Sequence, residues 1–460
     1  MRWRNSLLYL LVLLILGGYY YYFEVLGEQR ENEAKRQAKR IFQVKVHDIN
    51  ALEIDSKDRQ FVRLSKEGDW RIVAPITCEA DRATLEGLLN TLATLEAERR
   101  LSDLPQDLKP FGLVDPALKI TFSDGKETRR LAIGTQNPTG ESYYAKTDDS
   151  AEVFLLAQGV RGILNKGVDE LRRRDLLSFE PSAVQRIAVD WLDGRKVLLE
   201  RSQGRQEWKA PDHPEIELKG SKVANLLDQL HWLRAEKFLD NSTERLAQYG
   251  LEPPQARVTV QSDKDQSVEL RLGKTVDEGK GTSAFSSQLP AVVMVRADIF
   301  KDLPGTVESL QERSMMTLNK DEIARVKWRL GEEQGEVMRL EENKWGWRRQ
   351  GKPPRELKES WRVSALAYDL GQAEYTKELK PMPSAPEKPD GSLEFFSDSE
   401  KLAGILWSQR GENEPGTAIF WVEQKGRPLL AVEGNSELVG RIEEDLRELL
   451  RSRPAEGPSP

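Results

Sequence analysis

The chain has 460 residues, 38% hydrophobic and 32% charged, and carries a net charge of −7 from 69 basic and 76 acidic side chains. At ~150 residues per domain this length suggests about three domains, and the balance excludes both a polytopic membrane protein and a wholly disordered one. The acidic net charge argues against nucleic acid as a partner, and the lone cysteine, Cys78, excludes an intrachain disulfide.

Leu7 to Phe23 reads LLYLLVLLILGGYYYYF, without a charge. As a helix it is about 25 Å long, a marginal membrane span that neighbouring apolar residues extend. Trp3 and the run Tyr19, Tyr20, Tyr21 and Tyr22 suit the membrane interface, where a ring is buried and its hydroxyl stays wet. Gly17–Gly18 followed by four tyrosines lacks a small-residue cleavage pattern, so the segment is expected to remain as an anchor. Arg2 and Arg4 precede it; Arg30, Lys35, Arg36, Lys39 and Arg40 follow, mostly beyond Glu24, Glu28, Glu31 and Glu33. Raw counts and the short basic head therefore conflict, and the head is given more weight. The expectation is a bacterial inner-membrane protein anchored in lipid, with residues 1–26 as tail and anchor and the bulk outside the cytoplasm. Residues 27–44 read as a charged stalk.

The body repeats. Ala51–Pro75, Arg186–Pro211 and Arg325–Arg349 each alternate apolar and polar residues around a polar turn and then present tryptophan. Such alternation predicts two strands and a third bearing the indole. A helix is predicted after each, on the stripes Leu85, Leu88, Leu89, Leu92, Leu95; Val223, Leu226, Leu227, Leu230, Leu233; and Val363, Leu366, Leu370. Next come PFGLVDP, with Gly112, Leu113 and Pro116, and YGLEPP, with Gly250, Leu251 and Pro254. Trp70 and Trp208, Gly112 and Gly250, and Pro116 and Pro254 stand in one register, 138 residues apart. Glycine in the aromatic–Gly–Leu turn is expected to supply a positive φ. Further strands end at Gly134 and Gly273, then a hairpin and a short helix close each copy. The third copy replaces the turn with a Pro-rich loop, Lys380–Phe396, as a capping repeat does.

The expected fold class is α+β: one N-terminal transmembrane helix, then three tandem α+β repeats, each an antiparallel sheet with a packed helix. Their bounds are 45–180, 181–318 and 319–451, with 452–460 as a disordered tail.

Candidate chemistry is sparse. Gly273–Lys274–Thr275 resembles the end of a phosphate loop, but Val268 stands where that loop needs glycine. His213 and His231 lack metal spacing. Asp148–Asp149 and Asp321–Glu322 read as acidic turns, and Cys78 as a small residue at a strand–helix join. Trp345 and Trp347 share one strand face and read as core, whereas Trp361, Trp407 and Trp421 are surplus aromatics that could anchor an interface. No catalytic residue, metal or cofactor is expected.

These residues resemble the bacterial family called domain of unknown function 4340. The resemblance rests on Trp70 and Pro75, the Leu88–Leu95 helix, Phe111–Gly112–Leu113–Pro116, Gly134 and Tyr143–Tyr144. In the second copy it rests on Trp208, Pro211, Tyr249–Gly250–Leu251–Pro254 and Gly273. It covers most of Ile41 to Leu450. It implies an envelope-anchored accessory partner of ABC-type transporters, similar to those of gliding-motility systems, and no catalytic residues. The expected function is therefore a non-enzymatic extracytoplasmic scaffold that binds ABC-type permease subunits. The alternative is an envelope hydrolase acting on glycan or peptide, which would need paired carboxylates facing across a cleft.

Overall fold

The structure is a computed structural model that describes residues 40–101, 107–150, 152–201, 207–262, 266–341, 344–349, 352–409 and 416–451. The expected anchor with Trp3, Tyr19, Tyr20, Tyr21 and Tyr22, the stalk up to residue 39 and the tail 452–460 lie outside the described residues.

In the first repeat the strands are β1 (Ala51–Ser56), β2 (Val62–Glu67), β3 (Asp69–Ala74), β4 (Cys78–Glu79), β5 (Arg99–Arg100), β6 (Leu118–Ser123), β7 (Thr128–Gln136), β8 (Ser142–Thr147) and β9 (Phe154–Ala157). They form one sheet in the order β4-β3-β2-β1-β6-β7-β8-β9-β5. Neighbours in it pair antiparallel, β6 returning to the free side of β1. Helix α1 (Arg82–Ala93) intervenes between the two meanders. Alternation in sequence becomes alternation in burial: Leu52, Ile54, Leu64, Ile120, Phe122 and Leu131 are all buried. The helical stripe Leu85, Leu88, Leu89 and Leu92 joins them in one core. Each such leucine contributes on the order of 1.5–3 kcal/mol. The Asp81 carboxylate starts the helix by accepting from the Thr84 N–H at 2.9 Å, one of the otherwise unpaired first-turn donors.

The plan recurs as an eight-stranded sheet with helix α2 (Gly220–His231) and a nine-stranded sheet with helix α3 (Trp361–Gln372). The three stripes foreseen for these helices are buried. The third repeat closes with a 16-residue helix, α4 (Ser436–Arg451), which buries Leu438, Val439, Ile442, Leu446 and Leu449. By packing, the described residues fall into two compact units, one within Met1–Val197 and Leu226–Gly305 and the other within Leu198–Asn225 and Thr306–Pro460.

The expected fold class needs correction. The described chain is mostly antiparallel sheet, organised as three large sheets. Each repeat spends eight or nine strands on its sheet and few long helices on covering it. An α+β reading weighs one strong helical stripe per repeat too heavily against many short strands. The N-terminal transmembrane helix of that reading is likewise not shown: no helix among the described residues is long and apolar enough to cross a membrane.

The aromatic–Gly–Leu turn has a steric basis. Gly112 has φ 65° and Gly250 φ 69°, the left-handed region that side chains with a Cβ resist. Leu113 and Leu251 plug into the core below, and Pro116 is buried. Gly134 lies within β7, where a Cβ would collide with the Phe111 carbonyl oxygen; a Cβ at Gly273 would collide with that of Tyr249. The turn thus lies directly on the strand, and the two glycines of each motif serve one contact. In the third repeat, where the turn is missing, Ser408 occupies the strand position. There the preceding residue, Trp407, is fully buried and lies against Gly391, its cross-strand partner, where a Cβ would clash with the indole. One large and one small residue have replaced the packing of a turn on a strand.

Gly134→Ala and Gly273→Ala should each cost roughly 2–4 kcal/mol in urea unfolding. Gly87→Ala, on the exposed face of α1 with nothing within 4 Å of the added methyl, should instead raise stability by about 0.5–1 kcal/mol. Equal effects at the three positions would refute the steric explanation.

Candidate functional site

The segments that join the repeats are the least anticipated feature. Leu171–Leu177 reads LRRRDLL and Leu310–Met316 reads LQERSMM. In the first unit the connector is hydrogen-bonded on both sides. The Asp81 N–H donates to the Leu171 carbonyl at 2.6 Å, and the Arg173 N–H to that of Glu79 at 2.9 Å, just before α1. The Leu176 N–H donates to the Leu233 carbonyl at 3.2 Å, and the Ala235 N–H to that of Arg174 at 2.8 Å, just after α2. In the second unit the same four bonds recur, as Lys219 to Leu310, Glu312 to Glu217, Met315 to Ala373 and Tyr375 to Arg313. Arg40–Ile41 takes the equivalent place against Leu95–Glu96. The sequence signal was an apolar residue, four polar or charged residues and an apolar pair, recurring 139 residues on.

Side chains lock the two connectors with opposite polarity. Asp81, 6% exposed, is ion-paired to Arg234, whose Nε also lies 2.9 Å from Asp175. The matching positions in the second unit are Lys219 and Glu374, joined at 2.7 Å, with Lys222 on the other Glu374 oxygen at 2.7 Å. An acid facing a base at one junction becomes a base facing an acid at the other. Exchanging partners would set Asp81 against Glu374 and Lys219 against Arg234, both repulsive. Burial alone would raise the Asp81 carboxyl, but hydrogen bonds from Thr84 and the charge of Arg234 outweigh it and hold it below the usual carboxylate range. Burial opposes the Glu374 carboxylate in the same way, and Lys219 and Lys222 overcome it.

Other side chains foreseen as candidates are structural. Trp208, Trp345, Trp347, Trp407 and Trp421 are buried. Trp328 and Trp347 meet edge to face at 5.4 Å, and the Trp421 indole donates to the Pro383 carbonyl at 3.0 Å. Trp70 packs half-buried on the first core. Pro75 and Pro211 are exposed, and Pro254 bridges back to Leu251. Asp148 is held by Arg130 at 2.9 Å, and Glu322 by Asn319 at 2.8 Å. His213 lies 3.4 Å from Glu215, and His231 stacks edge-on with Phe179 and Trp232. Burial pushes the Cys78 thiol up, against the pull of Arg172, so it is a weak nucleophile near neutral pH. Among the described residues, no three His, Cys, Asp or Glu side chains gather to hold a metal.

Among the described residues, three aromatics are more than half exposed. Trp232 is 73% exposed, Trp361 58% and Tyr368 68%. Trp361 and Tyr368 are seven apart on α3 and lie on the face opposite its buried stripe, Val363, Leu366 and Leu370. Trp232 borders a cleft of about 620 Å³ with Arg174, Arg234 and Arg296.

The profile of the family described as Domain of unknown function (DUF4340) matches residues 70–244 and again 208–390. The chain belongs to the DUF4340 family. The two matches begin at Trp70 and Trp208, so the DUF4340 unit runs from the tryptophan strand of one repeat, through the connector, to beyond α2 or its equivalent in the next. The connector is thus inside the family unit. No curated protein matches the chain. Among solved structures, a DNA polymerase sliding clamp from Pseudomonas aeruginosa aligns at 10% identity over 87% of this chain and 95% of that one, with TM-score 0.14. A griselimycin-bound DnaN sliding clamp from the same organism aligns at 11% identity over 85% and 94%, with TM-score 0.12. Likeness this slight carries no argument about the fold or function of the DUF4340 chain.

A double-mutant cycle on Asp81→Lys and Arg234→Glu, read by urea unfolding, should give a favourable coupling of about 1 kcal/mol, since the helix-cap loss cancels in the cycle. Strict additivity would contradict the polarity argument. Because both junction carboxylates have lowered pKa values when folded, their stabilisation is present above the unfolded value of about 4 and is lost as pH falls through the folded value. The thermal midpoint should therefore be flat between about pH 6 and 8 and fall below about pH 4. The double variant Asp81→Asn, Glu374→Gln should show a shallower acid limb; an unchanged limb would place the acid sensitivity elsewhere.

Proposed function

We propose that this DUF4340 protein is a non-enzymatic scaffold of the bacterial envelope, held at the inner membrane with its repeats on the extracytoplasmic side, where it binds permease subunits of an ABC-type system. The observation that carries this reading is the aromatic stripe on the outer face of α3. Trp361 and Tyr368 stay exposed while every other described tryptophan of the third repeat is buried. Aromatic side chains lose little conformational entropy on binding and supply large contact areas, so exposed pairs of this kind suit interface anchors. The clamped connectors support the same reading, because a scaffold needs its modules held in register. The apolar segment 7–23 supports this location, and the transporter-accessory role that the family resemblance implies supports this partner class.

The hydrolase alternative draws no support from the junction chemistry. The carboxylates there are occupied by Arg234, Arg173, Lys219 and Lys222. A carboxylate in an ion pair is a poor general acid near neutral pH.

Crosslinking followed by pull-down of the full chain from detergent should recover ABC-type permease subunits. Trp361→Ala with Tyr368→Ala should reduce that recovery at least about tenfold, with stability within about 0.5 kcal/mol of wild type. Recovery of the protein alone, or undiminished recovery with the double variant, would overturn the reading.

A further inference from the structure

The first junction contains a second feature, independent of what docks on α3. A cavity of about 270 Å³ opens where β4, the connector and the strand Lys237–Asp240 meet. Its lining combines the polar side chains of Arg71, Arg172, Arg173, Thr77, Asn241 and Glu79 with the apolar ones of Ile76, Phe238 and Leu289.

Arg172 is 96% buried by its 4% exposure and forms the base. Its Nη1 donates to the Asn241 Oδ1 at 2.6 Å, its Nη2 lies 2.8 Å from Asp169, and its guanidinium stacks 3.0 Å from the Phe238 ring centre. Arg173 donates to Glu79 at 2.6 Å. Three guanidinium groups thus face two carboxylates, and Arg71 is the surplus cation: it has no carboxylate partner among the described residues. The Arg172 Nε and Arg173 Nη2 donors are also buried without an acceptor among the described residues. With the Asn241 oxygen taken by Arg172, its amide NH₂ is left as a donor in the cavity lining.

The second junction supplies a comparison. Its backbone clamp is the same, yet Ile216 stands for Cys78, Gln311 for Arg172, Glu312 for Arg173 and Lys209 for Arg71. The clamp therefore forms without the arginines. Their assembly at one junction only, among apolar lining residues, needs a reason beyond holding the connector.

We propose that this cavity binds a carboxylate carrying a short apolar body. Arg71 takes the carboxylate in a forked pair, the Asn241 amide and the Thr77 hydroxyl donate to it, and Phe238, Ile76 and Leu289 receive the apolar part. A peptide's C-terminal residue and a free short carboxylic acid share this chemistry, and both fit the volume.

Cys78 also lines the cavity and is the only cysteine in the chain, so its alkylation by iodoacetamide reports occupancy in the full-length protein. The probes are N-acetyl-Ala-Leu with a free C-terminus, its C-terminal amide, 3-phenylpropionate and inorganic phosphate. At about ten times Kd, an acid that binds should slow Cys78 labelling roughly tenfold, and the amide should not. Protection by the peptide acid alone assigns the site to a chain terminus, and protection by phenylpropionate alone assigns it to a free acid; either supports the proposal. Arg71→Gln and Asn241→Asp should each abolish protection. In Asn241→Asp the new carboxylate still accepts from Arg172, so its thermal midpoint should stay within a few degrees of wild type. The proposal is overturned if neither acid protects at about 10 mM, if the amide or phosphate protects equally, or if protection survives in a folded Asn241→Asp protein.

Discussion

A connector of seven residues, hydrogen-bonded along both of its edges, is the constraint on which the molecule depends. Its amides and carbonyls reach the segment before one repeat's helix and the segment after the next repeat's helix. A loop free on either edge would leave backbone groups to water and let its modules swing. Here the helix-flanking turns supply the missing partners. The positions that hold the junction are therefore the positions that start α1 and end α2, and neither can move without the other.

That arrangement explains why the junctions carry opposite charge polarity. Duplicated modules share a backbone pattern, and a backbone pattern alone cannot tell one junction from another. Tandem repeats risk pairing out of order as they fold. The Asp81–Arg234 and Lys219–Glu374 pairs distinguish the two by sign. Each contributes modestly to stability, since Arg234 and Glu374 are partly solvated. Their larger effect is on the wrong pairings, where like charges would meet at a buried carboxylate or between two cations.

Much of the repeat was legible in the sequence because its physics is periodic. Leu85, Leu88, Leu89 and Leu92 could sit only on one helix face, and Leu52 and Ile54 only on one sheet face. The aromatic–Gly–Leu register could be read at 138-residue spacing because glycine at a positive φ has few substitutes. The dominance of sheet was less legible: strands of two to six residues such as β4 and β5 carry little periodicity of their own. The long closing helix Ser436–Arg451 was underestimated although Leu438, Ile442, Leu446 and Leu449 mark it. The junctions were invisible for a different reason. Asp81 and Arg234 are 153 residues apart, and nothing local in either segment names its partner. The same holds for the cavity at Arg172, whose walls come from four separate stretches of chain.

Backbone amide exchange of the full chain under native conditions tests the clamp most directly. If the connector is held on both edges, the Arg173 and Leu176 amides exchange only as slowly as those of the central strand β6, such as Ile120, because all three wait for the same opening. If Arg173 and Leu176 exchange at the rate of an open loop while Ile120 stays protected, the repeats are independent modules on flexible tethers and the account fails.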